Sequence, residues 1–272
     1  MKNVVKELRH DIMICIRLAS CIDAPKIVSL VRKSFNSRIL NAMIYGCAGI
    51  TQYLKSQISI PSGLSDTVYV VAESGGVIVG CVELRLLGDT IFLNYICTSR
   101  KMRNKGLGKK LLKKAVLIVK CRNHRRMALD VFADNHVAKQ WYSKLGFARN
   151  YTTGWYSFPV VYKKTGLVGK VSGFPQADLC HARFGFSQFS VHASKNSYSV
   201  GRLGNDWFRV TQKEILQDAE AVNTLAKLDA RRKILGLFCV SKGQTLPRGA
   251  DVLCESERMT VDLPILLRAI PG

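Results

Sequence analysis

Acidic residues are scarce. The 272-residue chain has 19 Asp+Glu against 41 Lys+Arg, a formal net charge of +22. The excess is uneven. Residues 1–166 hold 27 Lys+Arg and 9 Asp+Glu, residues 167–272 hold 14 and 10, and residues 100–126 hold twelve basic residues and no acid. Such an excess points to an anionic ligand, to a surface that meets RNA, ribosomes or acidic protein, or to a solvated basic face. Long apolar runs are also missing. None reaches the roughly 18 residues of a bilayer span, and the closest, residues 39–50, is broken by Asn41 and Tyr45. The first eleven residues, MKNVVKELRHD, carry charges with no apolar stretch after them, so no signal peptide is expected and the expected location is the cytoplasm. There is no C-x-x-C, and the nine cysteines and five histidines show no ligand spacing; a metal site is not expected. The cysteines read as reduced, apolar packing residues.

Two kinds of phosphate loop are excluded by what positions 103–111 lack. A Walker loop needs glycine at 103 and Ser or Thr at 110, where this chain has Arg103 and Lys110. A dinucleotide fingerprint needs a third glycine at 111, which is Leu111. What is present is Arg103-Asn104-Lys105-Gly106-Leu107-Gly108-Lys109. An apolar strand candidate over residues 90–98 precedes it. An amphipathic helix candidate follows it, with Leu107, Leu111, Leu112, Ala115, Val116 and Val119 on one face. A strand, a glycine-bearing turn and a helix N-terminus form an anion site, because the first helical N–H groups lack partners and the helix dipole is positive there. Gly106 and Gly108 would let a diphosphate approach the main chain.

The Arg-x-x-Gly-x-Gly pattern resembles the acetyl-CoA pyrophosphate loop of the GNAT N-acetyltransferase superfamily. A second segment agrees: a strand ending near residue 132, then Asn135, a short helix with Ala138 and Tyr142, then Gly146-Phe147. The resemblance covers roughly residues 12–163. It implies an α/β (α+β) fold with a central mixed, mostly antiparallel sheet flanked by helices. It implies acetyl-CoA as co-substrate, a primary amine as acceptor, and no metal. By the same resemblance the main chain of Ile96, Cys97 and Thr98 would pair with the pantetheine arm. Arg103 to Lys109 would hold the diphosphate, and Asn135 would bond a pantetheine amide, a role compatible with being a plain helix cap. Tyr142 would protonate the departing sulfur; its alternative is a packing aromatic. The base is less determined. Glu83 is the acid inside an apolar strand, and an exposed strand position is its plain alternative. Asp130 is expected to pair locally, and His124 and His136 read as polar surface. Cys97 closes the strand that faces the thioester. Asn94 and Tyr95 stand where some relatives carry an acid, which leaves a water-relayed base open.

Elsewhere, residues 12–19 read as a first strand, Ser20 to Asp23 as a capping box, and residues 36–57 as one or two helices, which the resemblance implies would shape the acceptor pocket. Residues 67–73 and 77–87 form a hairpin about Gly75-Gly76. Residues 1–165 are expected to be a complete transferase domain, 166–183 a linker or connecting loop, and 184–272 an appended small α+β module. In that module residues 184–191, 198–203 and 207–210 read as strands, 211–228 as a helix capped by Thr211, 234–240 as an apolar run and 243–257 as loop. No family resemblance is read in this part, and no internal repeat is expected in the chain. The expected activity is acetyl transfer to an amine. The alternative is a GNAT fold that senses CoA, or a basic protein that docks nucleic acid or a ribosome, without catalysis.

Overall fold

A computed structural model of the protein describes residues 13–61, 63–119, 124–162, 166–239 and 249–270. Residues 1–12, Cys121, the basic Arg122 and residues 240–248 lie outside them. The first half runs β1 (Ile14–Leu18), α1 (Ala24–Arg32), α2 (Ser37–Leu40), α3 (Ile50–Ile58), β2 (Thr67–Ser74), β3 (Val77–Leu87), β4 (Thr90–Thr98), α4 (Leu107–Val119), β5 (Arg126–Phe132), α5 (His136–Lys144) and β6 (Ala148–Pro159). The second runs β7 (Lys170–Ser172), α6 (Phe174–Phe184), β8 (Phe186–His192), β9 (Ser197–Leu203), β10 (Trp207–Val210), α7 (Ala219–Asp229), β11 (Lys233–Cys239), β12 (Asp251–Asp262) and α8 (Leu263–Ala269).

All twelve strands form one sheet, in the order β1-β2-β3-β4-β5-β12-β6-β11-β10-β9-β8-β7. Adding six to each strand of the first half reproduces the order from the other edge, so the two halves repeat one topology. Each half has one parallel pair, β4 with β5 and β10 with β11, and a helix, α4 or α7, crosses between its members. The last strand of each half is inserted into the other. β12 pairs with β5 over Ser256–Asp262 and with β6 over Asp251–Thr260. This corrects the expectation that residues 1–165 complete a core alone: the chain's last strand closes the first half's sheet. Residues 166–183, expected as a loop, contain β7 and α6. Gly173 and Gly185, at φ +69° and +80°, bracket that helix in the left-handed region that favours glycine. The second crossover helix starts at Ala219, capped by Asp218 Oδ1 accepting from Ala221 N at 3.1 Å, and not by Thr211. The loop expected over residues 243–257 gives way to β12 from Asp251.

Layers of apolar side chains lie on both faces of the sheet. Leu107, Leu111, Leu112, Ala115, Val116 and Val119 of α4 pack on β2 to β5, with Tyr142, Leu145, Phe147, Met259, Val261 and Leu266 in the same cluster. The opposite face is covered by α1 and α3 through Ile27, Val28, Val31, Ile50 and Leu54. One charged cluster fixes the β1–α1 corner. Asp23 is buried; it accepts from Arg17 Nη1 at 2.7 Å and from Ser20 N at 2.8 Å, as the capping box requires. Arg17 also pairs with Glu73 at 2.5 Å. The Arg17 hydrogen bonds, helped by those from Ser20 and opposed by burial, hold the Asp23 carboxyl down at about 2, against an ordinary 3.8. A lowered folded-state pKa stabilises above the unfolded value, and that stability is lost as pH falls from about 4 to about 2. A shift of this size corresponds to about 2 kcal/mol. Asp23→Asn should therefore lower stability at neutral pH by about that much and flatten the acid limb between pH 4 and 2. Urea midpoints across that window check it; an unchanged limb would remove Asp23 from the acid response.

Candidate active site

The site begins where two parallel strands part. β4 and β5 are registered only over Thr90↔Arg126 to Leu93↔Leu129. Beyond Leu93, β4 continues with β3 alone (Val82↔Ile96, Cys81↔Cys97, Gly80↔Thr98), while β5 continues with β12 (Val131↔Glu257, Phe132↔Ser256). Among the described residues, the β5-facing main-chain edge at Ile96 to Thr98 therefore has no strand beside it, and an extended amide-bearing chain can bond there as a strand would. A register shift between Glu83 and Leu84 leaves Asn94 as the extra residue of a β-bulge, which turns its side chain towards β3.

The open edge leads to the glycine loop. After a short turn at Arg100–Met102, the chain passes Asn104 (φ +60°) and Gly106 (φ +76°) into α4. The space where Gly106 would carry a Cβ is empty for 4 Å. At Gly108 an added Cβ would meet the Trp141 ring at 3.5 Å, an ordinary contact. Gly106 is thus the position at which backbone shape demands glycine, and Gly108 brings α4 close to α5. Arg103, Asn104, Lys105 and Lys109 are exposed around the loop, and Leu107 is buried beneath it. Beside the loop lies a cleft of about 830 Å³ between α1, the β2–β3 turn and the end of β4. Lys26, Lys33, Arg100 and Arg103 line it with Ser29, Ser34, Thr98 and Ser99, and no acid does. Four cations around a groove next to free helix N–H groups fit a polyanionic coenzyme such as CoA.

Glu83 is buried, 2% exposed. Its carboxylate accepts from Asn94 Nδ2 at 2.5 Å, Tyr45 Oη at 3.1 Å and Arg85 Nε at 3.3 Å. Burial raises its pKa, against the lowering by Arg85, Asn94 and Tyr45. Tyr69 and Tyr95 enclose the same spot, with Tyr45 and Tyr95 rings edge-on at 4.6 Å. The sequence singled out Glu83; its partners Tyr45 and Arg85 were not read from it. Asn94 was noticed only as an absent acid, and a bulge that aims it leaves no mark in the residue pattern.

Tyr142 is buried on α5 against Phe147 and Trp141. Burial, then the proximity of Cys97, raises its pKa, so the phenol keeps its proton. Among the described residues its hydroxyl has no hydrogen-bond partner. Asn135 caps α5, its Oδ1 accepting from Ala138 N at 3.1 Å. Cys97 faces Cys81 across the β3–β4 ladder. A hydrogen bond from Cys81, then one from Ser34 and the charge of Arg103, lower the Cys97 pKa against burial. Asp130 pairs with Arg258 of β12 at 2.6 Å, not locally as expected. His136 is exposed at the start of α5, and His124 precedes β5. Among the described residues no group of three His, Cys, Asp or Glu could hold a metal, and no helix is long and apolar enough to cross a membrane.

The second half has no matching anion loop. Its counterpart, residues 211–218, reads TQKEILQD, without glycine and with two acids. The Asp218 carboxylate already occupies the N-terminus of α7. One half therefore carries the anion site.

A sheet with splayed parallel strands, a crossover helix opened by a basic glycine loop, and a repeat of that topology define an acetyltransferase-type fold. Residues 48–147 match the family model described as Acetyltransferase (GNAT) family. A candidate ribosomal-protein-bS18-alanine N-acetyltransferase of Bacillus subtilis (strain 168) is 31% identical over 78 residues, 29% of this chain and 52% of the relative. A 5-NmdU N-acetyltransferase of Pseudomonas phage PaMx11 is 34% identical over 79 residues, 28% of this chain and 54% of the relative. The chain spans about half the length of these curated relatives. A tandem GNAT protein from the clavulanic acid biosynthesis pathway, solved without AcCoA, shares the fold with a TM-score of 0.65. The match is 12% identical and covers 96% of this chain and all of that one.

Proposed function

We propose that the protein is an acetyl-CoA-dependent N-acetyltransferase that acts on a primary amine. The observation that carries this reading is the free edge of β4 at Ile96 to Thr98, leading directly to the Gly106 loop and its basic cleft. Acetyl-CoA, when bound, supplies the activated acyl thioester. The edge of residues 96–98 aligns the pantetheine arm. Arg103 and Lys105, with the first N–H groups of α4, hold the diphosphate, and the free Nδ2 of Asn135 reaches a pantetheine amide. Glu83, ionised above its raised pKa, accepts a proton from the acceptor's ammonium, directly or through a water, which frees the amine to attack the thioester carbonyl. Tyr142 gives its proton to the departing thiolate. Both related proteins are named for N-acetyl transfer, to different acceptors, so they support the reaction and leave the acceptor open. We also propose that residues 1–165 carry the chemistry and that residues 166–272 complete and shape the site. The free thiols among the described cysteines suit a cytoplasmic setting. Exposed Lys101, Lys109, Lys110 and Lys114 favour a nucleic-acid or ribosomal partner over a cationic one.

Mass spectrometry of products after incubation with labelled acetyl-CoA and a panel of amines tests the reaction. Absence of transfer to every amine, with acetyl-CoA bound, would leave a sensor. Arg103→Ala should weaken acetyl-CoA about tenfold, the worth of one charge-assisted hydrogen bond. Unchanged affinity by calorimetry would take Arg103 out of the site.

A further inference from the structure

A row of aromatic rings runs from Glu83 across the gap between β4 and β5. Glu83 and Tyr95 are direct partners on the β3–β4 ladder, so their side chains share a face. The Tyr45 hydroxyl donates to Glu83 at 3.1 Å, and the Tyr45 ring lies edge-on to Tyr95 at 4.6 Å. Phe35, just after α1, stands edge-on to Tyr95 at 6.2 Å and to Phe132 at 6.1 Å. Tyr95 belongs to β4 and Phe132 to β5, so one ring bridges the place where the two strands part. Phe132 continues the row to Trp155 of β6, at 5.6 Å.

The row is held from behind. Arg32, at the end of α1, donates to the Tyr45 carbonyl at 2.7 Å and to the Cys47 carbonyl at 2.9 Å. Asn36 Oδ1 caps α2, accepting from Ile39 N at 2.9 Å. Phe35 sits between these two ties. Tyr45 is fully buried, whereas Phe35, Tyr95, Phe132 and Trp155 are half-buried, each with part of its surface in solvent. Four half-covered rings beside a buried carboxylate form a wall that a ligand can touch. Its hydrogen-bonding capacity is small. Tyr45 Oη is committed to Glu83, and Trp155 Nε1 donates to Ser256 Oγ of β12 at 3.0 Å. Among the described residues, only the Tyr95 hydroxyl of this wall has no hydrogen-bond partner. A hydroxylated carrier such as a sugar, pressed on these rings, would give up bonds to water that the wall does not replace. A flat apolar carrier loses nothing of that kind and gains ring contacts, and its ammonium meets ring faces on the way to Glu83.

We propose that Phe35, Tyr95, Phe132 and Trp155 bind the acceptor, and that the amine they deliver to Glu83 is borne on a flat apolar group, as in an arylmethylamine. Phe35, as the bridge over the gap, sets this preference. The proposal rests on the transferase reading of Glu83 and the β4 edge, but binding to the wall can be measured without any turnover.

The test uses the full chain saturated with CoA, which fills the coenzyme site and permits no transfer. 4-Fluorobenzylamine is titrated and followed by fluorine NMR; its signal should shift and saturate. Cyclohexylmethylamine, similar in size but not flat, should displace it about fivefold more weakly than benzylamine does. Phe35→Leu, which keeps an apolar side chain, should weaken fluorobenzylamine about fivefold, and Phe35→Tyr should retain it. Absence of saturable binding, equal displacement by the two competitors, or binding that Phe35→Leu leaves unchanged would overturn the wall. Acetyl transfer is then compared for benzylamine and 2-aminoethanol. Phe35→Leu should raise KM for benzylamine about fivefold more than for 2-aminoethanol. An equal fall in kcat for both would show a merely structural ring and overturn the proposal. Transfer to 2-aminoethanol without arylmethylamine binding would keep the transferase and remove the wall. Saturable binding with transfer to neither amine would keep the wall and remove the transferase reading.

Discussion

A chain that ends at Lys164 will not fold to a stable domain. β12 lies between β5 and β6, registered with both, so its removal leaves two strand edges facing each other across a missing strand. Its loss and that of α8 also strip Met259, Val261, Leu263, Leu266 and Ile270 from the cluster that seats α4 and α5. Burying a side chain of this kind is worth roughly 1.5–3 kcal/mol. Losing five costs on the order of 10 kcal/mol, comparable to the whole margin of about 5–15 kcal/mol of a folded domain. Lys139 would further lose its 2.8 Å pair with Glu257, and Asp130 its pair with Arg258. The expected result is an aggregating product with no cooperative urea transition by circular dichroism. A truncated chain that unfolds cooperatively and binds acetyl-CoA with full affinity would show that β5 and β6 close on each other, and that the inserted strand is dispensable.

This outcome was not legible in the sequence, for a physical reason. Alternation tells which face a residue occupies; it does not tell which strand lies alongside. Asp130 and Arg258 meet across 128 positions. β12 even hides as a strand: shifts between Val252 and Cys254 and between Arg258 and Met259 break its period of two. It also carries Glu255, Glu257 and Arg258, and its buried Glu257 is tolerated because Lys139 pairs with it. The first half read more clearly because its elements are locally encoded. Gly75 and Gly76 turn β2 into β3, Ser20 and Asp23 start α1, and six apolar residues of α4 repeat at helical spacing. The candidate site divides in the same way. The glycine loop, Asn135 and Tyr142 sit on contiguous motifs. Tyr45 reaches Glu83 only through packing between distant segments. The topological repeat escaped too, because its two copies share strand order while the anion loop of one has become the acid-capped turn of the other.

Tyr142→Phe should lower turnover by about 10²-fold while leaving acetyl-CoA affinity near normal. The side chain is buried, so its ring is held by Phe147 and Trp141 whether or not the hydroxyl is present. Removing one oxygen opens no large cavity, and no described residue loses a hydrogen bond. The hydroxyl lies near Cys97, at the end of the open β4 edge where the thioester sulfur would rest. Burial keeps the resting phenol protonated throughout the neutral range, so each turnover starts with a proton to give, and the phenolate left behind regains one from solvent before the next. Without it, the sulfur leaves as a bare thiolate in a poorly solvated place, or takes a proton from a less well-placed water. General acids held in position contribute about 10²–10⁴-fold, and the lower end applies here because a thiolate is already a fair leaving group. The measurement is kcat with a fast amine under conditions where chemistry limits the rate, beside calorimetry of acetyl-CoA binding. Turnover within about twofold of wild type would exclude Tyr142 as the acid. A parallel loss of acetyl-CoA affinity would mean that the hydroxyl holds the coenzyme and does not protonate its sulfur.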